Sequence, residues 1–97
     1  LQNIEIWNEL SDEITSKLEY PIKDSQEILK VSKLISDKLD IYQQVSLVNL
    51  IQIIWWRNRK NTYLLKKLEK LKFYLRNNIQ PRLAWEITFL KILMKNI

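Results

Sequence analysis

Apolar residues recur along the chain at intervals of three and four, the spacing that places them on one side of an α-helix. Turn-forming residues divide this pattern into five segments. The expected helices run from near Asn3 to Lys17 or Leu18, from Asp24 or Ser25 through Leu39, from Ile41 to about Asn58, from Asn61-Thr62 to about Arg76, and from Pro81 onward. The sequence therefore predicts an all-α protein, folded as a single five-helix bundle.

The ends of these helices have recognisable signals. Tyr20-Pro21 ends the first helix, because the residue before a proline is pushed away from helical geometry. Asp40 followed by Gln43 is typical of a capping box at the start of the third helix. Asn77-Asn78 can turn the chain without glycine, since asparagine tolerates the left-handed conformation. Pro81 fits the first turn of the fifth helix.

Helices three and five carry more apolar surface than one small core needs. The third is apolar around most of its circumference, so we expect it at the bundle centre, with part of Trp55-Trp56 reaching an interface. The fifth has two apolar faces, which places it centrally or against a neighbouring molecule. The spacing predicts that one of these faces points to the core, and its residues are Leu83, Ile87, Leu90, Met94 and Ile97. Trp85, Phe89 and Ile92 lie on nearly the opposite side.

The composition excludes several classes of site. The 97 residues contain no Gly, His or Cys, which removes glycine phosphate loops, Ser-His-Asp and Cys-His nucleophiles, ordinary zinc sites and disulfides. We therefore predict no catalytic residue, cofactor, metal or small-molecule substrate. The longest apolar run, from Val45 to Trp56, is too short to span a bilayer, so no membrane partner is expected. The length fits one domain, and a start at Leu1 without Met indicates a piece of a longer protein.

The net charge of +5 is unevenly distributed. Residues 1–50 have a net charge of −4, and residues 51–97 a net charge of +9. Solvated faces that favour solubility explain such a pattern. Complementary patches on neighbouring subunits, or a nucleic-acid footprint, are the alternatives.

Basic side chains that follow or accompany aromatic ones are candidate nucleic-acid contacts, because this combination binds bases and phosphates. These candidates are Arg57, Arg59, Lys60, Lys66 and Lys70. Cations in the last turn of a helix also complement its dipole, so the run after Trp55-Trp56 has a structural explanation as well.

Large aromatic side chains are the best candidates for contact with a protein partner, because they tend to carry interface energy. The candidate anchors are Trp85, Phe89 and Ile92, followed by Trp56 and Phe73. A single exposed aromatic residue such as Phe73 is also common on surfaces without any partner.

The most specific run in the chain is Asn78-Ile-Gln-Pro-Arg-Leu-Ala-Trp-Glu86, followed by Ile-Thr-Phe-Leu-Lys-Ile-Leu. It resembles the segment that opens the last helix of the C-terminal collar domain in bacterial clamp-loader subunits. The form found here looks most like the delta-prime subunit of DNA polymerase III of cyanobacterial type, and the gamma/tau subunit, which shares a similar helix, is the alternative. The matching motif positions are Asn78, Pro81, Arg82, Leu83, Ala84 and Glu86. Trp85 stands where a smaller aliphatic residue is frequent.

The resemblance implies a function without chemistry. Collar domains join clamp-loader subunits into a ring, and the attached AAA+ ATPase modules open the sliding clamp and place it on primed DNA during replication in the cytoplasm. The implied partners are the gamma/tau and delta subunits, with DNA reached through the assembled loader. Residues 1–97 would then be one oligomerisation domain at the C-terminal end of a longer protein. A small basic helical domain that binds nucleic acid is the alternative function.

Overall fold

The computed structural model describes residues 12–95, and every regular element in that range is an α-helix. The helices are α1 (residues 12–17 of the described range), α2 (Ser25–Lys38), α3 (Ile41–Arg59), α4 (Thr62–Arg76) and α5 (Pro81–Lys95). The predicted all-α five-helix bundle is confirmed. The expected start of the first helix near Asn3 and the expected core position of Ile97 lie outside the described residues.

Short polar side chains begin three of the helices, as the sequence predicts. The Asp24 carboxylate accepts a hydrogen bond from the backbone N–H of Gln26 at 3.1 Å and caps α2. At α3 the capping box is complete, because Asp40 accepts from the Gln43 N–H at 2.8 Å while the Gln43 side chain accepts from the Asp40 N–H at 2.9 Å. Asn61 caps α4 in the same manner as Asp24. These bonds satisfy amide groups that a helix start otherwise leaves without partners.

Two connections use the left-handed backbone conformation without glycine. Lys60 has φ 48° where α3 turns into α4, and Asn78 has φ 61° before α5. The prediction that Asn77-Asn78 turns the chain is confirmed by this geometry. Lys60 is the less expected case, since a side chain with a Cβ makes this conformation costly by about 1–2 kcal/mol.

One continuous core joins all five helices. Its buried apolar residues are Ile14, Leu18, Ile28, Val31, Ile35, Leu39, Leu47, Val48, Ile51, Trp55, Leu64, Leu68, Leu71, Leu75, Ala84, Trp85, Phe89 and Ile92. On α4 the leucines recur at the spacing of one helix face, and all four members of this α4 seam lie in the core: Leu64, Leu68, Leu71 and Leu75. The Trp55 indole N–H donates to the Leu18 carbonyl at 2.6 Å and ties the end of α3 to the end of α1.

The helix α4 occupies a central position between two neighbours. It packs against α3 on one side and α5 on the other, while α2 packs against α5. Side-chain bonds join Asn49 to Lys72 and Gln52 to the Leu65 carbonyl, so α3 and α4 run antiparallel. Outside the core, where α3 and α5 contact each other directly, α4 lies between the outer sides of these two helices.

The choice of core face for α5 was wrong. Trp85, Phe89 and Ile92 point into the core, whereas Leu83 and Met94 are exposed. Both faces of this helix are apolar, so periodicity alone could not orient it. The wide indole and phenyl rings bury more surface than leucine and methionine, and the small Ala84 and Thr88 beside them are also buried.

The expected position of α3 at the bundle centre also needs correction. Its inner side is buried, but Leu50, Ile53 and Trp56 remain exposed on the other. Of the tryptophan pair, Trp55 lies in the core and Trp56 is 42% exposed, so Trp56 is the one that a partner could reach.

Candidate functional site: two apolar surfaces and a basic stripe

Trp85 is held in the core by a hydrogen bond that crosses between helices. Its indole N–H donates to the Gln44 side-chain carbonyl at 2.9 Å, and the Gln44 amide donates to the Leu39 carbonyl at 2.9 Å. The ring also packs on Phe89, with centroids 5.5 Å apart. The expectation that Trp85, Phe89 and Ile92 form an outer face is therefore corrected, because a partner cannot reach side chains that their own chain encloses.

Trp56 and Phe73 do lie on the surface, as an interface role requires. Trp56 belongs to a groove between the outer sides of α3 and α4, which we call the α3–α4 groove. Its lining residues are Asn49, Gln52, Ile53, Trp56, Arg57, Leu65 and Glu69. Phe73, 60% exposed, lies one turn beyond Glu69 on α4. The structure thus places these two predicted residues on the same side of the bundle.

The polar residues of the α3–α4 groove bind one another. The Lys72 ammonium donates to the Asn49 side-chain oxygen at 2.9 Å and forms an ion pair with Glu69. The Gln52 amide donates to the Glu69 carboxylate at 2.7 Å. Because these groups already bond one another, a partner that covers them removes fewer hydrogen bonds to water than it would remove from unpaired groups. Ile53, Trp56 and Leu65 supply the apolar surface beside them.

This network sets the charge of Glu69. Its pKa lies below the ordinary value of 4.5, because Lys72 and then Gln52 donate hydrogen bonds to the charged carboxylate. A lowered pKa stabilises the fold above the unfolded-state pKa, and this stabilisation is lost as pH falls through the folded-state pKa. The side chain is largely exposed, so the contribution stays below about 1 kcal/mol. Glu69 therefore remains charged at neutral pH and forms part of the polar edge of the α3–α4 groove.

The α3–α4 groove has the volume of a small-molecule pocket but not its chemistry. About 540 Å³ lies within it, and ligand pockets occupy about 300–1,000 Å³. Such pockets need polar groups directed at the ligand, whereas here the amide and carboxylate groups of the lining bond one another and Lys72. The arrangement fits apolar side chains from another protein surface.

A second apolar surface runs along the outside of α5. Its residues follow the helical spacing i, i+4, i+7, i+11, and we call them the α5 stripe: Leu83, Ile87, Leu90 and Met94. Leu83 and Met94 are exposed, whereas Ile87 and Leu90 are half-buried. The sequence identified this set correctly as one face and assigned it to the wrong environment.

The predicted basic residues are all exposed but do not form one cluster. Arg57, Arg59 and Lys60 lie at the end of α3, where the Arg59 guanidinium sits 5.6 Å from the centre of the Tyr20 ring. Lys66 and Lys70 lie on α4, where the Lys70 ammonium is 6.0 Å from the centre of the Tyr74 ring. The structure therefore divides the predicted nucleic-acid residues between two places.

Sequence reasoning missed a basic stripe that α4 and α5 build together. The tyrosine–lysine stripe consists of two tyrosines, the three lysines whose ammonium groups lie near their rings, and the exposed Lys91, whose backbone carbonyl accepts from Tyr63. Its residues are Tyr63, Lys67, Lys70, Tyr74, Lys91 and Lys95. The Lys67 and Lys95 ammonium groups lie 5.3 and 5.4 Å from the centre of the same Tyr63 ring. The signal was present in the α4 spacing, but the contribution of α5 depends on how the two helices pack.

Within residues 12–95 no three metal-ligating side chains come together. None of the helices in this range is long and apolar enough to cross a membrane.

Comparison with known proteins gives one family. The protein-family model described as "Cyanobacterial DNA polymerase III delta prime, C-terminal domain" matches residues 1–92 of the chain. No curated protein and no solved structure matches the chain.

Proposed function

The chain belongs to the family of cyanobacterial DNA polymerase III delta-prime C-terminal domains, and we propose that it is the oligomerisation domain of the clamp-loader delta-prime subunit. In this role it holds its subunit in the ring of subunits that places the sliding clamp on primed DNA. The observation that carries the proposal is the presence of two separate apolar surfaces, the α3–α4 groove and the α5 stripe.

An assembly domain needs exposed apolar surface that a partner can cover. Isolated apolar residues are normal on any protein, but contiguous patches rimmed by polar groups mark interaction sites. In the α3–α4 groove, Ile53 and Trp56 lie beside the satisfied network of Glu69 and Gln52. An apolar centre with hydrogen-bonded polar neighbours is the usual arrangement of a protein interface.

The domain performs no reaction. The delta-prime subunit is a non-catalytic component of the clamp loader, and we assign the ATPase modules of the assembly to other AAA+ domains. The gamma/tau and delta subunits are the proposed neighbours, and the cytoplasm, where replication takes place, is the proposed location.

Mixing the chain with the C-terminal domain of the cognate gamma/tau subunit tests this proposal by sedimentation equilibrium. We expect a complex, and we expect Ile53→Asp to weaken it by at least about tenfold, because a charge would be desolvated in the interface. Leu29→Asp is the matched control. Leu29 and Ile53 are both aliphatic residues on helix surfaces, and they are 45% and 51% exposed. Absence of any complex with the unmodified chain, or equal loss in both variants, would contradict the proposal.

The same measurement separates the two related subunits. A delta-prime domain needs different subunits as neighbours and shows little association with itself. A gamma/tau domain has copies of itself beside it, so concentration-dependent self-association of the chain alone would favour that alternative.

A further inference from the structure

The tyrosine–lysine stripe follows a regular spacing on α4. Tyr63, Lys67, Lys70 and Tyr74 stand at i, i+4, i+7 and i+11, which places them on one side of the helix. Eleven residues of helix give a length of about 16 Å. The antiparallel α5 adds the two other lysines at the Tyr63 end, where the Tyr63 hydroxyl donates to the Lys91 carbonyl at 3.5 Å.

Three lysines of this stripe, Lys67, Lys70 and Lys95, lie near tyrosine rings, and within residues 12–95 no lysine of the stripe forms an ion pair. Among residues 12–95 the ion pairs are Lys72 with Glu69 and Arg82 with Glu86, and neither includes a stripe lysine. The Lys67 and Lys95 ammonium groups instead both lie over the Tyr63 ring. A cation–π contact at an exposed site is worth only about 0.5–1 kcal/mol, so it orients an ammonium group without neutralising it.

We propose that the tyrosine–lysine stripe binds the phosphate backbone of a nucleic acid. Successive phosphates of one DNA strand are about 3.4 Å apart along the helix axis, so the stripe spans several of them. The Tyr63 and Tyr74 rings already have ammonium groups near them, so they position cations and do not stack on bases. Contacts to phosphates alone carry no sequence information, and the binding is therefore indifferent to base sequence.

The composition of the stripe favours a nucleic acid over an acidic protein partner. Lysine is depleted at protein–protein interfaces, where charged side chains are disfavoured at the core. Lysine and tyrosine are common donors to phosphate oxygens. The stripe also lies between the two apolar surfaces, on the helix that separates them, so it can remain accessible while both are covered.

Fluorescence anisotropy of the full chain with labelled single-stranded and duplex oligonucleotides tests the proposal across a range of salt concentrations. The stripe variant carries Lys67→Gln, Lys70→Gln, Lys91→Gln and Lys95→Gln. The control variant carries Lys23→Gln, Lys30→Gln, Lys33→Gln and Lys38→Gln, all exposed and on or beside α2. Both variants lose four charges, so any difference between them reports position and not net charge. Circular dichroism melts establish that both are folded.

For the unmodified chain we expect the logarithm of the affinity to fall with the logarithm of salt at a slope of about −3, since each of four phosphate contacts contributes about 0.7 to 0.9. The stripe variant should lose at least about tenfold in affinity and most of this slope, while the control stays within about threefold. Equal losses in the two variants, or no binding by the unmodified chain at low salt, would overturn the proposal.

The sedimentation assay with the gamma/tau domain separates this inference from the proposed function. A stripe variant that still forms the complex but loses DNA supports both. A stripe variant that no longer forms the complex but still binds DNA overturns the proposal that the stripe binds phosphates. The proposed oligomerisation role then stands.

Discussion

At the scale of single residues, Trp85 shows how one side chain can fix the packing of several helices. Its indole fills the core while its N–H donates to Gln44, and Gln44 in turn donates to the Leu39 carbonyl before α3. Both side chains are fully enclosed, where an unpaired polar group costs free energy. The bond therefore selects the rotation of α5 that buries this face.

We expect Trp85→Phe to lower the free energy of unfolding by about 2–4 kcal/mol, because it removes ring volume and leaves the Gln44 oxygen unsatisfied. Gln44→Leu alone should leave the indole N–H unpaired at a cost of about 1–3 kcal/mol. The double variant should cost less than the sum of the two. Urea unfolding of all four proteins gives the coupling energy, and additive effects would mean that the hydrogen bond contributes nothing specific.

The residue scale is also where sequence reasoning was weakest. The α4 seam from Leu64 to Leu75 could be predicted, because only one side of that helix is consistently apolar. On α5 both sides are apolar, so the sequence could not decide between Leu83 and Trp85 as the inward residue. The deciding facts were the volume of the rings and the position of Gln44, and both depend on the packed structure.

At the scale of helices, the ends were predictable because short-range chemistry sets them. Asp40 with Gln43, Asn61 and Pro81 each act on backbone groups within one turn, so their effect can be read from adjacent residues. The exposed side of α3 could not be predicted in this manner. Coverage of Ile53 depends on where α4 lies and not on any neighbour in sequence.

The capping box of α3 gives a prediction at this scale. Asp40→Ala removes the acceptor for the Gln43 N–H, and we expect a loss of about 0.5–2 kcal/mol in the free energy of unfolding. Asp37→Ala is a suitable control, because Asp37 is an exposed aspartate in the last turn of α2 and is not the cap that accepts from the backbone at the start of α3. Urea unfolding measures both, and equal effects would show that charge and not capping is responsible.

At the scale of the whole molecule, the arrangement of surfaces matters more than any one of them. The α3–α4 groove, the tyrosine–lysine stripe and the α5 stripe follow one another across α3, α4 and α5. The lysines of the tyrosine–lysine stripe belong to residues 51–97, the half of the chain that the sequence shows to be strongly basic. The family could be predicted from about twenty residues around Pro81, whereas the surfaces required the packing of three helices.

A member of a ring has two neighbours, and such head-to-tail contacts use different patches on the same subunit. Because α4 separates the two apolar surfaces, we expect each to contact a different neighbour. Ile53→Asp should then weaken binding to one neighbouring subunit, and Met94→Asp should weaken binding to the other. The double variant should lose both interactions. Met94 is 69% exposed, so its substitution should leave the fold intact.

Sedimentation velocity of each variant with the gamma/tau and delta C-terminal domains, mixed separately, measures this prediction, with Leu29→Asp as the control. The two losses should be independent, since sites that share no contacts have additive effects on binding free energy. If both substitutions abolish the same complex and spare the other, the two surfaces belong to one interface that wraps around α4. The tyrosine–lysine stripe would then be covered in the assembly, and its nucleic-acid contact would be restricted to the free subunit.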